Sequence, residues 1–128
     1  MKLDCLSDKS ISQPIVRLYD FNGDEVQRLY STFRDLAEGR LTECRVHELD
    51  GVESADGVRL TLFVQSWDQA ITRYDGQNNA FGCGLTPGAW ENVASLTEPF
   101  LRRPAGRFQW LTGIPGEASL LLSADGSW

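Results

Sequence analysis

The chain has 128 residues, near the commonest size for one domain, with 12 Lys and Arg against 18 Asp and Glu and a net charge of −6. That balance disfavours nucleic acid as a partner, since such binding draws most of its affinity from neutralised phosphates, and Arg102-Arg103 is the only adjacent basic pair. The opening MKLDCLSDKS lacks the apolar core of a leader, and no apolar run approaches the roughly 20 residues a membrane helix needs, so the expectation is a cytoplasmic, soluble domain with no membrane partner.

Residues 1–14 are polar, lack periodicity and end at Pro14, which predicts a flexible N-terminal arm before a single domain over 15–128. A strand is expected from Ile15 to Phe21. Asn22, with Glu25 three residues on, forms a capping-box pattern. Val26, Leu29, Tyr30, Phe33, Leu36 and Ala37 then recur on one helical face until Gly39 offers a C-terminal stop. Leu41 to Leu49 reads as a strand. An Asp- and Gly-rich turn follows, then the clearest strand in the chain. Val58, Leu60, Leu62 and Val64 alternate there with Arg59, Thr61, Phe63 and Gln65.

A short strand is expected around Gln69–Tyr74 and another around Phe81–Leu85. Thr86-Pro87 starts a second helix, because a threonine accepts hydrogen bonds at the N-cap and proline loses nothing at the first helical position. Trp90, Val93, Ala94 and Thr97 share its inner face, and Pro99 should end or kink it near Glu98. Strands over Phe108–Leu111 and Glu117–Ser123 complete the order β-α-β-β-β-β-α-β-β. The two N-caps, Asn22 and Thr86, lie 64 residues apart, half the chain, which suggests a duplicated βαββ unit. Hairpin-length connections predict an α+β fold, with a mainly antiparallel sheet of six to seven strands and both helices on one face. Leu62, Phe33 and Leu36 should be fully buried.

Reactive groups are few. His47 is the single histidine, and Cys5, Cys44 and Cys83 are scattered without a CxxC, which fits buried thiols in a reducing compartment and no disulfide framework. Asp20-Phe-Asn22-Gly-Asp24 opens like a calcium loop. However, its sixth position is Glu25 rather than Gly and its twelfth is Ser31 rather than Glu, so an acidic helix start explains it better. Cys44 and His47, three apart in a strand, would face opposite sides and form a poor dyad. Gly82-Cys83-Gly84 lacks the length and the Lys of a phosphate loop. No catalytic residue, metal site or cofactor is assigned, and the reading leans away from an enzyme.

The side of the sheet opposite the helices is more informative. Arg59, Phe63, Gln65 and Trp67 fall on it with Arg45 and His47, a mixture of arginine and aromatics enriched at protein interfaces. The expectation is a non-catalytic interaction or regulatory module that uses this open sheet face to hold a protein partner or a second copy of itself. His47 would be an exposed group on that polar face, so removing it should cost little stability. The alternative is a small-molecule binder or small enzyme with an apolar pocket between the sheet and the second helix. Phe81, Trp90 and Phe108 would line that pocket, with Asp68 and Glu91 as polar handles.

Overall fold

The computed structural model describes residues 1–6, 14–69, 71–73, 79–102, 108–112 and 119–124. It contains β1 (Lys2–Leu6), β2 (Ile15–Tyr19), α1 (Gly23–Glu38), β3 (Glu43–Arg45), a 3-10 turn (Val46–Glu48), β4 (Glu53–Ser54), β5 (Arg59–Val64), β6 (Thr72–Arg73), β7 (Ala80–Leu85), α2 (Pro87–Thr97), a second 3-10 turn (Glu98–Leu101), β8 (Phe108–Trp110) and β9 (Ser119–Ser123). The class is α+β.

The strands form two mixed sheets rather than one mainly antiparallel sheet. One has the order β4-β1-β2-β9-β8, the other β3-β5-β7-β6. At the centre of each lies a parallel pair, β2 with β9 and β5 with β7. Four antiparallel pairs, β1-β2, β3-β5, β6-β7 and β8-β9, flank these centres. The physical reason lies in the helices: each is entered from a strand of one sheet and left toward a strand of the other. The pairing plan therefore repeats. The run β1-β2-β9-β8 in one sheet corresponds to β6-β7-β5-β3 in the other, each half of the chain being a strand pair, a helix and a strand pair.

α1 forms where its caps and periodicity place it. The Asn22 side chain accepts from the Glu25 N–H at 2.9 Å, the Glu25 carboxylate accepts from the Asn22 N–H at 3.0 Å, and Gly39 ends the helix at φ 82°. Thr86 caps α2, accepting from the Ala89 N–H at 3.3 Å. Pro99 does not stop the chain from turning, but the backbone tightens there from α2 into the 3-10 turn. The helices pack on each other, with Phe33 stacked on Trp90 at 5.9 Å between centroids and 13° between planes. One hydrophobic core runs through both sheets and both helices. It takes Leu3 of β1, Val16 and Leu18 of β2, Leu60 and Leu62 of β5 and Leu120 and Leu122 of β9, with Phe33 and Leu36 of α1. Leu62, Phe33 and Leu36 are completely buried.

Several expected boundaries change, among them β2, which ends at Tyr19 rather than Phe21, and β8, which ends at Trp110 rather than Leu111. Lys2–Leu6, assigned to the flexible arm, form a strand paired with β2 and β4, because Leu3 can bury while Lys2 and Asp4 face out and Asp4 pairs with Arg17 at 2.7 Å. The strand over 41–49 shortens to Glu43–Arg45 before the 3-10 turn. Of the strand over 69–74, Thr72–Arg73 is observed, and Tyr74 lies outside the described residues, as do Glu117 and the tail ending at Trp128.

Glu25 links the start of α1 to β1. Its carboxylate also ion-pairs with the Met1 amino group, which donates as well to the Gly51 carbonyl at 2.9 Å. Burial pushes the Glu25 carboxyl up, but hydrogen bonds from the amino group and the Asn22 N–H, with the charges of that amino group and Arg28, outweigh burial and leave it below its ordinary value. A carboxyl held low in the folded state contributes stability above its unfolded pKa of about 4.3, and that contribution is lost as the pH falls through the folded value. Glu25→Gln should therefore cost about 1–3 kcal/mol at neutral pH. It should also flatten the loss of stability that the unsubstituted chain shows on acidification below about pH 5. Urea unfolding at a series of pH values measures both, and parallel pH curves for the two proteins would refute the assignment.

Candidate functional site

The outer side of the β3-β5-β7-β6 sheet carries most of the residues the pattern singles out. Alternation along β5 puts Leu60 and Leu62 in the core and Arg59, Thr61 and Phe63 outside. Register then sets Glu43 beside Phe63 and Arg45 beside Thr61 on one flank, and Ala80, Gly82 and Gly84 beside Arg59, Thr61 and Phe63 on the other. Arg45, Arg59 and Glu43 are exposed, and Phe63 and Gln65 are half-buried. Trp67, with 61% of its surface accessible, is the most exposed large apolar side chain among the described residues. The face is open on its β3-β5 side only, since every residue of β7 is buried on both faces.

The glycines of β7 explain how Phe63 lies. A Cβ built on Gly84 would meet the Phe63 ring at 2.4 Å, so the ring rests on bare backbone. Gln65 is not a spare binding group. Its amide donates to the Trp67 carbonyl at 2.9 Å and to the Gly84 carbonyl at 3.2 Å, pinning the segment that presents Trp67 against β7.

His47 lies elsewhere than alternation implied. It belongs to the 3-10 turn, is half-buried, and its Nδ1 stands 3.1 Å from the Leu60 nitrogen and 3.4 Å from the Leu60 oxygen. A backbone N–H can only donate, so Nδ1 is the acceptor and the neutral ring carries its proton on Nε2. The imidazole thus satisfies β5 just past Arg45, where β3 has ended. The expectation that His47→Ala costs little is corrected accordingly. Losing that acceptor should cost about 1–3 kcal/mol and speed amide exchange at Leu60. Unchanged stability together with unchanged exchange at Leu60 would contradict the structural role.

Arg45, His47, Glu48, Arg59 and Thr61 surround an open cleft of about 460 Å³, with Ala80 and Phe81 of β7 as its remaining lining. Arg45 makes only long, exposed ion pairs, 3.6 Å to Glu43 and 3.7 Å to Glu48, of the kind worth about 0–1 kcal/mol. Glu48 and Glu43 were not singled out from the sequence. Alternation within β3 puts Glu43 on the side of Arg45, and the turn after Arg45 brings Glu48 beside it.

The five residues of the alternative pocket do not meet in one site. Phe81 and Trp90 are completely buried core residues, and the Trp90 indole N–H donates to the Phe63 carbonyl at 3.0 Å. Phe108 sits 48% exposed on the edge strand of the other sheet, beside Ser123. The Asp68 carboxylate accepts from the Thr86 N–H and hydroxyl, both at 2.8 Å, which fixes the start of α2, and Glu91 is exposed.

The cysteines carry no nucleophile in this arrangement. Cys44, Leu62 and Cys83 form one row across three strands on the core side, so the thiols are separated by β5. Burial, with the Asp68 charge adding to it, pushes the Cys83 thiol up to about 12, and burial raises Cys44 and Cys5 as well. In the acidic stretch before α1, Asn22 is spent on the cap and Asp20 pairs with Lys2 at 3.3 Å. Among the described residues there is no group of three or more His, Cys, Asp or Glu able to hold a metal, and no helix is long and apolar enough to cross a membrane.

Comparison with protein-family models, with curated proteins and with solved structures finds no match for this chain.

Proposed function

We propose that the chain is a non-catalytic protein-binding module that docks its partner on the outer side of β3 and β5. The observation that carries this reading is Trp67, 61% exposed just past the end of β5, its backbone carbonyl held by the Gln65 amide, with the half-buried Phe63 and the exposed Arg45 and Arg59 further along the same strand pair. A segment whose backbone is already pinned loses less freedom on binding, and arginine with aromatics is the composition that dominates binding energy at interfaces. The shortage of activated nucleophiles and of acid–base pairs among the described residues supports binding over catalysis. The partner is another protein or a second copy of this chain.

Light scattering over a concentration series separates those two. A mass that doubles with concentration in the unsubstituted chain, and stays monomeric in Phe63→Ser/Trp67→Ser, identifies self-association through this face. For a different protein, the same double variant should lose the partner while keeping its cooperative unfolding. A variant that retains all partner contacts would remove the proposed face.

A further inference from the structure

β3 leaves one of its edges open. Among the described residues it pairs on one side only, with β5, and it ends its sheet. The Val64 N–H bonds the Thr42 carbonyl at 3.0 Å, which fixes the parity of that ladder. In an antiparallel pair, residues whose main-chain groups meet alternate with residues whose groups point away. Thr42 and Cys44 therefore turn their main-chain groups to β5, while Glu43 and Arg45 turn theirs outward. Neither the Glu43 nor the Arg45 N–H finds an acceptor among the described residues. Beyond Arg45 the His47 imidazole stands in for a strand and accepts the Leu60 N–H at 3.1 Å, so the open edge is confined to β3. An open groove of about 410 Å³, lined by Glu43, Cys44, Arg45, Glu48 and Leu49, leaves space beside it.

The edge reads Glu-Cys-Arg, and laid antiparallel on itself it is complementary in charge. A twofold axis at Cys44 sets each Glu43 opposite the other copy's Arg45, a pairing that favours a sheet, whereas a parallel arrangement would oppose like charges. The outward N–H of each Arg45 then faces the Glu43 carbonyl of the other copy. Arg45 already has its own Glu43 at 3.6 Å and Glu48 at 3.7 Å, exposed ion pairs that the second copy's carboxylate can join or replace at small cost. We infer that β3 is a self-association edge, where two copies pair antiparallel about Cys44 and join their four-stranded sheets into one of eight strands. The contact uses main-chain groups of the edge and not Trp67, so it goes beyond the docking face proposed above. With three residues a side and a net charge of −6 on each copy, it is a weak dimer formed at high concentration.

Cysteine oxidation and light scattering test the arrangement together. Cys44 meets its own copy in a pair without mutual hydrogen bonds, with Cα atoms about 4.5 Å apart, inside the range of about 4.4–6.8 Å that a disulfide spans. Diamide, which takes two electrons and two protons from a pair of thiols, should give a covalent dimer from the unsubstituted chain and from Cys5→Ser. It should give none from Cys44→Ser. In light scattering the mass should rise toward that of a dimer with concentration, in the unsubstituted chain and in Phe63→Ser/Trp67→Ser alike. Arg45→Pro removes the outward N–H, a change that an edge strand tolerates, and should remain monomeric. Arg45→Glu should raise the dissociation constant about tenfold by opposing like charges, and Glu43→Arg/Arg45→Glu should restore it. A monomer at every concentration, or a covalent dimer that survives Cys44→Ser, overturns the edge. Association that Arg45→Pro keeps and Phe63→Ser/Trp67→Ser loses also overturns it, and leaves the docking face standing.

Discussion

Alanine at Trp90 is expected to cost about 3–5 kcal/mol of folding stability, a fall in Tm on the order of 10–20 °C. The side chain is completely buried, stacks on Phe33 across the interface between α1 and α2, and sends its indole N–H to the Phe63 carbonyl at 3.0 Å. Truncation removes the largest core side chain, and a cavity between two helices that share one core closes only in part. Trp90→Phe separates the terms. It keeps most of the buried ring but loses the indole hydrogen bond to the Phe63 carbonyl, for about 0.5–1.5 kcal/mol. Urea unfolding decides the matter, and a Trp90→Ala variant within about 1 kcal/mol of the unsubstituted chain would contradict the packing described. The indole also reaches the candidate face from behind, because the strand residue it holds is the one whose ring lies on that face.

Gly84→Ala is expected to destabilise the chain by about 1–3 kcal/mol, through a clash rather than through a cavity. The new Cβ would fall 2.4 and 2.7 Å from atoms of the Phe63 ring and 2.6 Å from the Gln65 side chain. Those groups are side chains, so they can move, but moving them lifts the ring off β7 and loosens the amide that orients Trp67. Removing the Phe63 ring should relieve part of the penalty, the Gln65 contact remaining. In a cycle of Gly84→Ala, Phe63→Ala and the pair, the double variant should be more stable than the sum of the singles predicts. Additive effects would show that Phe63 does not rest on Gly84. A partner that docks against Phe63 should also bind Gly84→Ala more weakly, which ties the packing of this strand pair to the proposed function.

The parts legible in the sequence were those with local causes. The Asn22–Glu25 box, the run from Val26 to Ala37 and Gly39 define α1 within a few turns of chain. The alternation from Val58 to Gln65 sorts β5 into a core side and an outer side without any knowledge of its neighbours. What stayed hidden depends on distant chain. The pairing of β2 with β9 joins Ile15–Tyr19 to Ser119–Ser123, and nothing within either segment announces a parallel partner some hundred residues away, so hairpin lengths pointed to one antiparallel sheet. β1 offers only Leu3 and Cys5 as alternating apolar groups, too short a signal to lift it from an arm. His47 was placed by extending a strand two residues beyond its end at Arg45, and the turn that intervenes converts an apparent surface group into the acceptor for Leu60. Along β5, Arg59 and Phe63 could be read as outward from periodicity alone, while Trp67 lies three residues past the end of that strand. The bare backbone under Phe63 needed the register between strands, and the approach of Glu48 to Arg45 needed the turn that ends β3.

Photo-crosslinking reports most directly on whether the outer side of β3 and β5 is a docking surface. A benzoylphenylalanine at position 67 places the reactive group on the face, and one at position 27, exposed on α1, serves as the reference. Irradiation in extracts of the source cells should give a discrete adduct from position 67 that is absent from position 27. The adduct should disappear when Phe63→Ser is added. Adducts of equal yield and identity from both positions, or none from position 67, would contradict the account.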